Sequence, residues 1–319
     1  MPKVLISDSM SKKALEVFSQ FPEVQVDVKT GMKPEELAAV IGEYDGLVIR
    51  SATKVTPEIF KHAKNLKIIA RAGSGVDNVD FDAANANGTY VTNTPGGNTV
   101  TTGEHAIAMM MALTRNIPQG TATMKAGIWE KKKYEGREIF NKTLGVIGLG
   151  NIGRIVADRA KGLRMKVIAH DKFVDPGVAA DLGVELVDLD TLYARADYIT
   201  VHLNKTKETT GFINRDAFAK MKKGVFFINC SRGGIVDEDA LYDALTLGVV
   251  AGAALDVFAV EPPGEHKLLK LDNVIATPHL GASTHEAQEN VAIQAAKQTA
   301  EFLVKGVLVN ALNADKVKR

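Results

Sequence analysis

Apolar residues in this chain fall in two patterns: short unbroken runs of four or five, and longer stretches where they recur every three or four positions. The first reads as buried strand and the second as amphipathic helix. Strands are predicted at 4–7, 24–28, 47–50, 67–71 and 90–92, with helices at 12–21, 34–42 and 81–87 between them. Thr56 and Pro57 open a further helix as cap and first residue. Such alternation implies a parallel sheet with helices on both faces. Asn93-Thr94-Pro95-Gly96-Gly97-Asn98 then forms a break rich in turn formers, followed by a strongly apolar helix at 100–113. That helix needs burial on several sides, in a core or against a subunit.

A second strand–helix block begins at Thr143. Its strands are expected at 143–147, 166–170, 198–202, 225–228, 252–256 and 274–276. A last helix at 284–304 opens with a capping-box pattern, Ser283-x-x-Glu286. The fold class is therefore α/β, with two doubly wound parallel-sheet domains and a cleft between them. The first block has no glycine fingerprint and the second has one, so substrate and cofactor duties are expected to be split.

That fingerprint is Gly148-x-Gly150-x-x-Gly153, placed after a strand and at the start of a helix. Gly148 allows the tight turn, Gly150 lets backbone approach a pyrophosphate, and Gly153 lets the helix pack on the strand. The helix start offers unpaired N–H groups to the phosphates. The next strand ends on Asp171, whose carboxylate can accept from an adenosine ribose and repels a 2′-phosphate. NAD rather than NADP is the expected cofactor.

Composition leaves this picture intact. A chain of 319 residues suits two domains, and Lys+Arg of 39 against Asp+Glu of 38 gives a formal charge of +1. No overall field recruits nucleic acid or an anionic membrane surface. No apolar run is long enough to span a bilayer, and the N-terminus carries no signal-peptide pattern. A single cysteine, Cys230, rules out an internal disulfide. The expected setting is cytoplasmic, with no membrane and no nucleic-acid partner. The histidines at 62, 105, 170, 202, 266 and 285 lack acidic partners at metal-ligand spacing, and no metal is assigned.

In α/β sheets, ligands sit beyond the carboxyl ends of strands. Three such positions in the second block carry Arg232, Glu261 and His279. The set suits hydride transfer from a 2-hydroxy acid. A histidine takes the hydroxyl proton near neutral pH, and a carboxylate fixes its tautomer. An arginine grips the substrate carboxylate through two parallel hydrogen bonds. Each residue has a plainer reading: Arg232 as a surface ion pair, Glu261 as a turn cap, His279 as a satisfied buried histidine.

The segments RAGSGVDNVD (71–80), GLGNIG (148–153), INCSRGGIVDEDAL (228–241), GAALDVFAVEPP (252–263) and TPHLGAST (277–284) resemble the D-2-hydroxyacid dehydrogenases. VIRSATKVT (48–56), NTPGGN (93–98) and ATMKAGIWEKKKYEGREI (122–139) narrow the resemblance to the branch acting on 3-phospho-D-glycerate. It implies NAD-dependent oxidation of that acid to 3-phosphohydroxypyruvate, with glyoxylate or hydroxypyruvate reduction as an alternative. An NAD-responsive corepressor-like binding protein is a third reading. The resemblance also implies a flavodoxin-like, discontinuous substrate-binding domain, 1–96 with 285–319, around a Rossmann NAD-binding domain at 97–284. Arg232, Glu261 and His279 are the implied catalytic residues, with His279 as acid/base. Implied cofactor contacts are Ser74, Asn151, Ile152, Asp171, Leu203, Cys230, Arg232, Asp256, His279, Leu280, Gly281 and Ala282. Arg50 and Arg71 are implied at the substrate phosphate, Ser51 at the substrate, and the Ser74-Gly75 turn at its carboxylate. Relatives suggest a homodimer through the NAD-binding domain, with 129–133 reaching the neighbouring subunit. Two departures stand out. His202-Leu203-Asn204-Lys205 lacks the family's H-x-P-L text, and an end at Arg319 leaves no room for the regulatory domains many relatives append.

Overall fold

Both apolar patterns are realised as two parallel sheets in a computed structural model, which describes residues 1–317. The chain divides into a first unit, Met1–Asn98 with the stretch from Ser283 onward, and a second, Thr99–Ala282. These limits lie two residues from the 96/97 and 284/285 boundaries read from the sequence.

The first unit holds strands β1 (Lys3–Ile6), β2 (Gln25–Val28), β3 (Gly46–Ile49), β4 (Ile68–Arg71) and β5 (Tyr90–Thr92) in the order β2-β1-β3-β4-β5. This is the flavodoxin-like order, with its topological switch between β1 and β3. Alternate side chains serve opposite faces, as a period of two requires. Leu5, Leu47, Ile49 and Ile69 pack on Leu37, Ile41, Ile59 and Phe60. Val4, Ile6, Val48 and Ala70 pack on Val291, Ala292, Ala295 and Ala296 of the helix His285–Lys305. Small residues let that helix lie close, and a Cβ added to Gly46 would come within 3.1 Å of Thr299. The cap of this helix is Thr284, accepting from Ala287 N–H at 3.2 Å, rather than the expected Ser283. Gly306 ends the helix in the left-handed region at φ 71°.

The second unit holds β6 (Thr143–Ile147), β7 (Lys166–His170), β8 (Glu185–Leu186), β9 (Tyr198–Val201), β10 (Val225–Asn229), β11 (Val250–Leu255) and β12 (Val274–Ala276). Their order is β12-β11-β10-β9-β6-β7-β8, a Rossmann sheet whose switch lies between β6 and β9. β9 and β10 are buried throughout, as expected for strands covered on both faces. The helix Thr99–Thr114 buries Thr102, Gly103, Ala106, Met109, Met110 and Leu113. A Cβ on Gly103 would lie 2.6 Å from Ile155, so this helix and Asn151–Gly162 are in close contact. It is thus a core helix of its own unit. The Lys131-Lys132-Lys133 run forms part of a 3-10 turn at Lys131–Tyr134. Among the described residues, no helix is long and apolar enough to cross a membrane.

Candidate active site

Each glycine of the fingerprint has a different surrounding. Gly148, beyond β6, has φ +94°, and a Cβ there would sit 2.6 Å from the His202 carbonyl and 3.0 Å from Leu203. A Cβ on Gly153 would lie 2.0 Å from the Gly148 carbonyl, so the helix Asn151–Gly162 seats directly on the turn. Gly150 is the opposite case, with nothing within 4 Å of its Cβ position. Open space at a helix start fits a pyrophosphate, since N–H groups and the dipole both face an anion there. Asn151 and Ile152 form the first turn of this helix.

Asp171 follows β7 and ties the turn together. Its Oδ2 accepts from Leu149 N–H at 2.7 Å, and its Oδ1 from Phe173 and Val174 N–H at 2.8 and 3.1 Å. A carboxylate offers about four acceptor positions, so one remains for a ribose hydroxyl. Its negative charge stays beside the turn, as NAD selection requires. Next to the switch, burial pushes the His202 imidazole down to about 4.

The three acid–base and anion-binding candidates come from neighbouring strand ends. Beyond β10, Asn229 accepts Ser231 N–H at 3.0 Å and donates to the Arg232 carbonyl at 3.2 Å, closing the turn that carries Arg232. Gly233 lies against the loop beyond β11, where a Cβ would meet the Phe258 carbonyl oxygen at 1.7 Å. Only glycine permits that approach. Phe258 N–H donates to Glu261 Oε1 at 3.0 Å, and Glu261 Oε2 lies 2.7 Å from His279 Nδ1. A continuous set of contacts thus joins all three residues within one unit. The Glu261 carboxylate fixes a hydrogen on Nδ1, and the second nitrogen, Nε2, is left for proton transfer. His279 is partly exposed, its side chain at 47 %, so the plainer reading of a satisfied buried histidine does not describe it.

His279 occupies the left-handed region at φ 54°, which costs about 1–2 kcal/mol for a residue with a Cβ. Asp256 offsets that strain. Its carbonyl accepts His279 N–H at 3.0 Å, Oδ1 accepts Leu280 N–H at 2.7 Å, and Oδ2 accepts Gly281 N–H at 2.8 Å. Burial alone would raise the Asp256 carboxyl, but hydrogen bonds from His105, Thr277, Leu280 and Gly281 outweigh it and hold the group below the usual range. The sequence assigned Asp256 to the cofactor. Its carboxylate is 1 % exposed and bonded to His105, Thr277, Leu280 and Gly281. Cys230 is buried beside it, and burial together with the Asp256 charge raises its thiol well above the ordinary value. Cys230 packs there as a small buried side chain.

In the first unit, Arg50 and Ser51 follow β3, and Arg71 ends β4. The loop 50–53 is clamped by groups the sequence reasoning passed over. Asp8, buried beyond β1, accepts from Arg50 N–H at 2.6 Å and from Thr53 N–H and hydroxyl at 3.0 and 2.6 Å. Asn78 donates to the Arg50 and Thr53 carbonyls at 2.7 and 2.6 Å. Asp8 sits at the first unit's own switch point, and the strand-end rule used for Arg232 would have found it. Arg71 folds onto Gly73, whose Cβ would collide with the guanidinium at 1.5 Å. Ser74 donates its hydroxyl to Asn98 at 2.6 Å, and its carbonyl accepts from Asn93 at 2.7 Å, leaving Gly75 to complete an ordered turn. Among the described residues, no group of three or more potential metal ligands forms.

Residues 107–281 match the family described as D-isomer specific 2-hydroxyacid dehydrogenase, NAD binding domain. A D-3-phosphoglycerate dehydrogenase of Synechocystis sp. is 51 % identical over 304 residues, covering 95 % of this chain and 54 % of that protein. The chain spans 54 to 60 % of the length of the first curated relatives it matches. Among solved structures, the TT0316 protein of Thermus thermophilus is 33 % identical with a TM-score of 0.88, covering 97 % of this chain and 99 % of its own. A glyoxylate reductase from Paecilomyes thermophila is 28 % identical with a TM-score of 0.90, over 98 % and 99 % of the two chains. With a family model matched over more than half of its length, the chain belongs to the D-isomer specific 2-hydroxyacid dehydrogenases, residues 107–281 matching that family's NAD-binding domain.

Proposed function

We propose that this chain carries the catalytic part of an NAD-dependent dehydrogenase that oxidises 3-phospho-D-glycerate to 3-phosphohydroxypyruvate. The observation that carries the proposal is the 2.7 Å pair of His279 and Glu261, joined through Phe258 and Gly233 to Arg232. Curated relatives at 45 to 51 % identity are named D-3-phosphoglycerate dehydrogenase, which supports the substrate. NAD, when bound, would supply the acceptor for the C2 hydride. The Gly148 turn, Asn151, Ile152 and Asp171 would hold it, together with Leu203, Cys230, Leu280, Gly281 and Ala282. His279 Nε2 takes the hydroxyl proton as the carbonyl forms, while Glu261 balances the imidazolium charge. Arg232 grips the substrate carboxylate in bidentate fashion and stabilises charge developing on the neighbouring oxygen. Ser74 and Gly75 add backbone N–H groups to that carboxylate, and Arg50, Ser51 and Arg71 take the phosphate. Met1–Asn98 with the C-terminal stretch accordingly serves as the substrate-binding domain. His279→Ala is expected to lose turnover while NAD binding, followed by calorimetry, persists; full activity in that variant removes the proposed base.

A second reading, reduction of glyoxylate or hydroxypyruvate, is favoured by the likeness to a glyoxylate reductase. The two differ at Arg50 and Arg71. Replacing both by Met should lower kcat/KM for the phosphorylated acid roughly a hundredfold, through lost charge-assisted bonds. An unphosphorylated substrate should show little change.

We also infer a homodimer built on the second unit, in a reducing, cytoplasmic setting. Exposed Ile117, Met124, Ile128 and Trp129 line a cavity of about 630 Å³, an apolar surface suited to burial by a second copy. The lone, buried Cys230 suits a compartment without disulfides. Sedimentation of the parent chain against Trp129→Ser tests the dimer, and a monomeric parent removes it.

A further inference from the structure

Asp256 holds the turn of His279 from three sides, yet the same carboxylate has a partner that the reaction itself does not use. His105 reaches it from the helix Thr99–Thr114, whose neighbouring residues Thr102, Ala106 and Met109 are buried in the core. Its Nε2 lies 3.3 Å from Asp256 Oδ1 and 3.1 Å from Thr277 Oγ1. Thr277 donates its hydroxyl hydrogen to Asp256 Oδ1 at 2.5 Å. Nε2 therefore faces a carboxylate oxygen and a hydroxyl oxygen whose hydrogen is already committed, and it must carry a hydrogen itself. The side chain of His105 is 19 % exposed and that of Asp256 1 %, so the contact is shielded from solvent. A buried carboxylate that loses a donor must recruit water or rotate. Rotation here would break the bonds to Leu280 and Gly281 that keep His279 at its left-handed φ.

We propose that His105 is a positioning residue for the acid–base histidine. Its Nε2–H fixes Asp256 Oδ1 and Thr277, the fixed carboxylate holds the turn 279–281, and the turn presents the His279 imidazole to Glu261. This rests on the assignment of His279 as acid/base.

The test compares His105→Leu with His105→Gln in the full chain. Glutamine places an amide N–H close to the reach of Nε2, whereas leucine fills similar space without a donor. For His105→Leu, kcat is expected to fall at least about tenfold, as misplacement of a reacting group by a fraction of an ångström does. kcat is taken at saturating NAD, and the Kd for NAD is measured alongside, because Leu280 and Gly281 of the same turn are among the residues proposed to hold the cofactor. His105→Gln should recover most of kcat. Equal losses in both variants, or a kcat for His105→Leu within about twofold of the parent, overturn the proposal. Should the leucine variant fail to fold, His105→Asn replaces it. Its donor falls about a bond length short of Nε2, so a rate below that of His105→Gln supports the proposal and an equal rate overturns it. His279→Ala is measured alongside. If it is inactive while His105→Leu is fully active, only the positioning role fails; if it is active, the acid–base assignment itself fails.

Discussion

Gly233→Ala puts a methyl group where backbone already lies. A Cβ at that position would be 1.7 Å from the Phe258 oxygen, 2.2 Å from its carbonyl carbon and 2.8 Å from Ala259 N. Carbon and carbonyl oxygen come to rest about 3.3 Å apart even in favourable contacts, so the two loops must separate by roughly 1.5 Å. None of the atoms in the way is the free end of a side chain. Phe258 is buried, and its N–H is bound to Glu261, so the loop beyond β11 has little freedom to yield. The movement falls on the turn that carries Arg232. A displacement near 1 Å in a reacting constellation lowers rate by about a hundredfold, and overpacking destabilises by about 1–3 kcal/mol. The expected result is a kcat/KM for the 2-hydroxy acid reduced roughly a hundredfold, measured by NADH formation. Thermal melting should fall by about 2–4 °C for each kcal/mol, and calorimetric NAD affinity should change little. Parent-like turnover together with an unchanged melting temperature would refute the contact chain from Arg232 to His279.

The fingerprint glycines give a paired prediction. Gly153→Ala should destabilise the chain through its 2.0 Å clash with the Gly148 carbonyl, whereas Gly150→Ala should fold normally and bind NAD weakly; denaturant midpoints and calorimetry separate them. His202 makes stability depend on acid. Its folded value of about 4 lies below the ordinary 6.5, so the unfolded chain binds the proton first, and stability that is complete above pH 6.5 is lost as pH falls toward 4. That loss amounts to about 3 kcal/mol, and His202→Asn should remove it in urea titrations compared at neutral and acid pH.

Regular elements were legible because each is written locally. Asn151–Gly162 and Phe81–Asn87 show their periodicity and breakers, and the turn of Gly148, Gly150 and Gly153 is marked by its spacing between a strand and a helix. Arg232, Glu261 and His279 were legible from a rule about strand ends rather than from any spacing between them. What stayed hidden depends on residues distant in sequence. Nothing near His105 announces Asp256 as its partner, and nothing near Arg50 announces Asn78. The left-handed φ of His279 is equally silent, since the Asp256 contacts that hold it come from more than twenty residues away. The two-residue β8 is too short for an alternation to register. The misplaced cap at Ser283 reflects two adjacent hydroxyl residues that serve equally well until packing selects Thr284.

The long helix His285–Lys305 has a consequence for synthesis on the ribosome. It supplies the apolar cover for one face of the sheet containing β1, β3 and β4, yet it is translated after the whole of Thr99–Ala282. The nascent N-terminal sheet must wait with Val4, Ile6, Val48 and Ala70 uncovered while the intervening Rossmann fold emerges and matures. Polypeptides that stop short of Thr284 are for that reason the forms most prone to aggregate and to engage chaperones, whereas the inserted stretch, which contains its own sheet and both of its covering layers, is the part suited to separate expression.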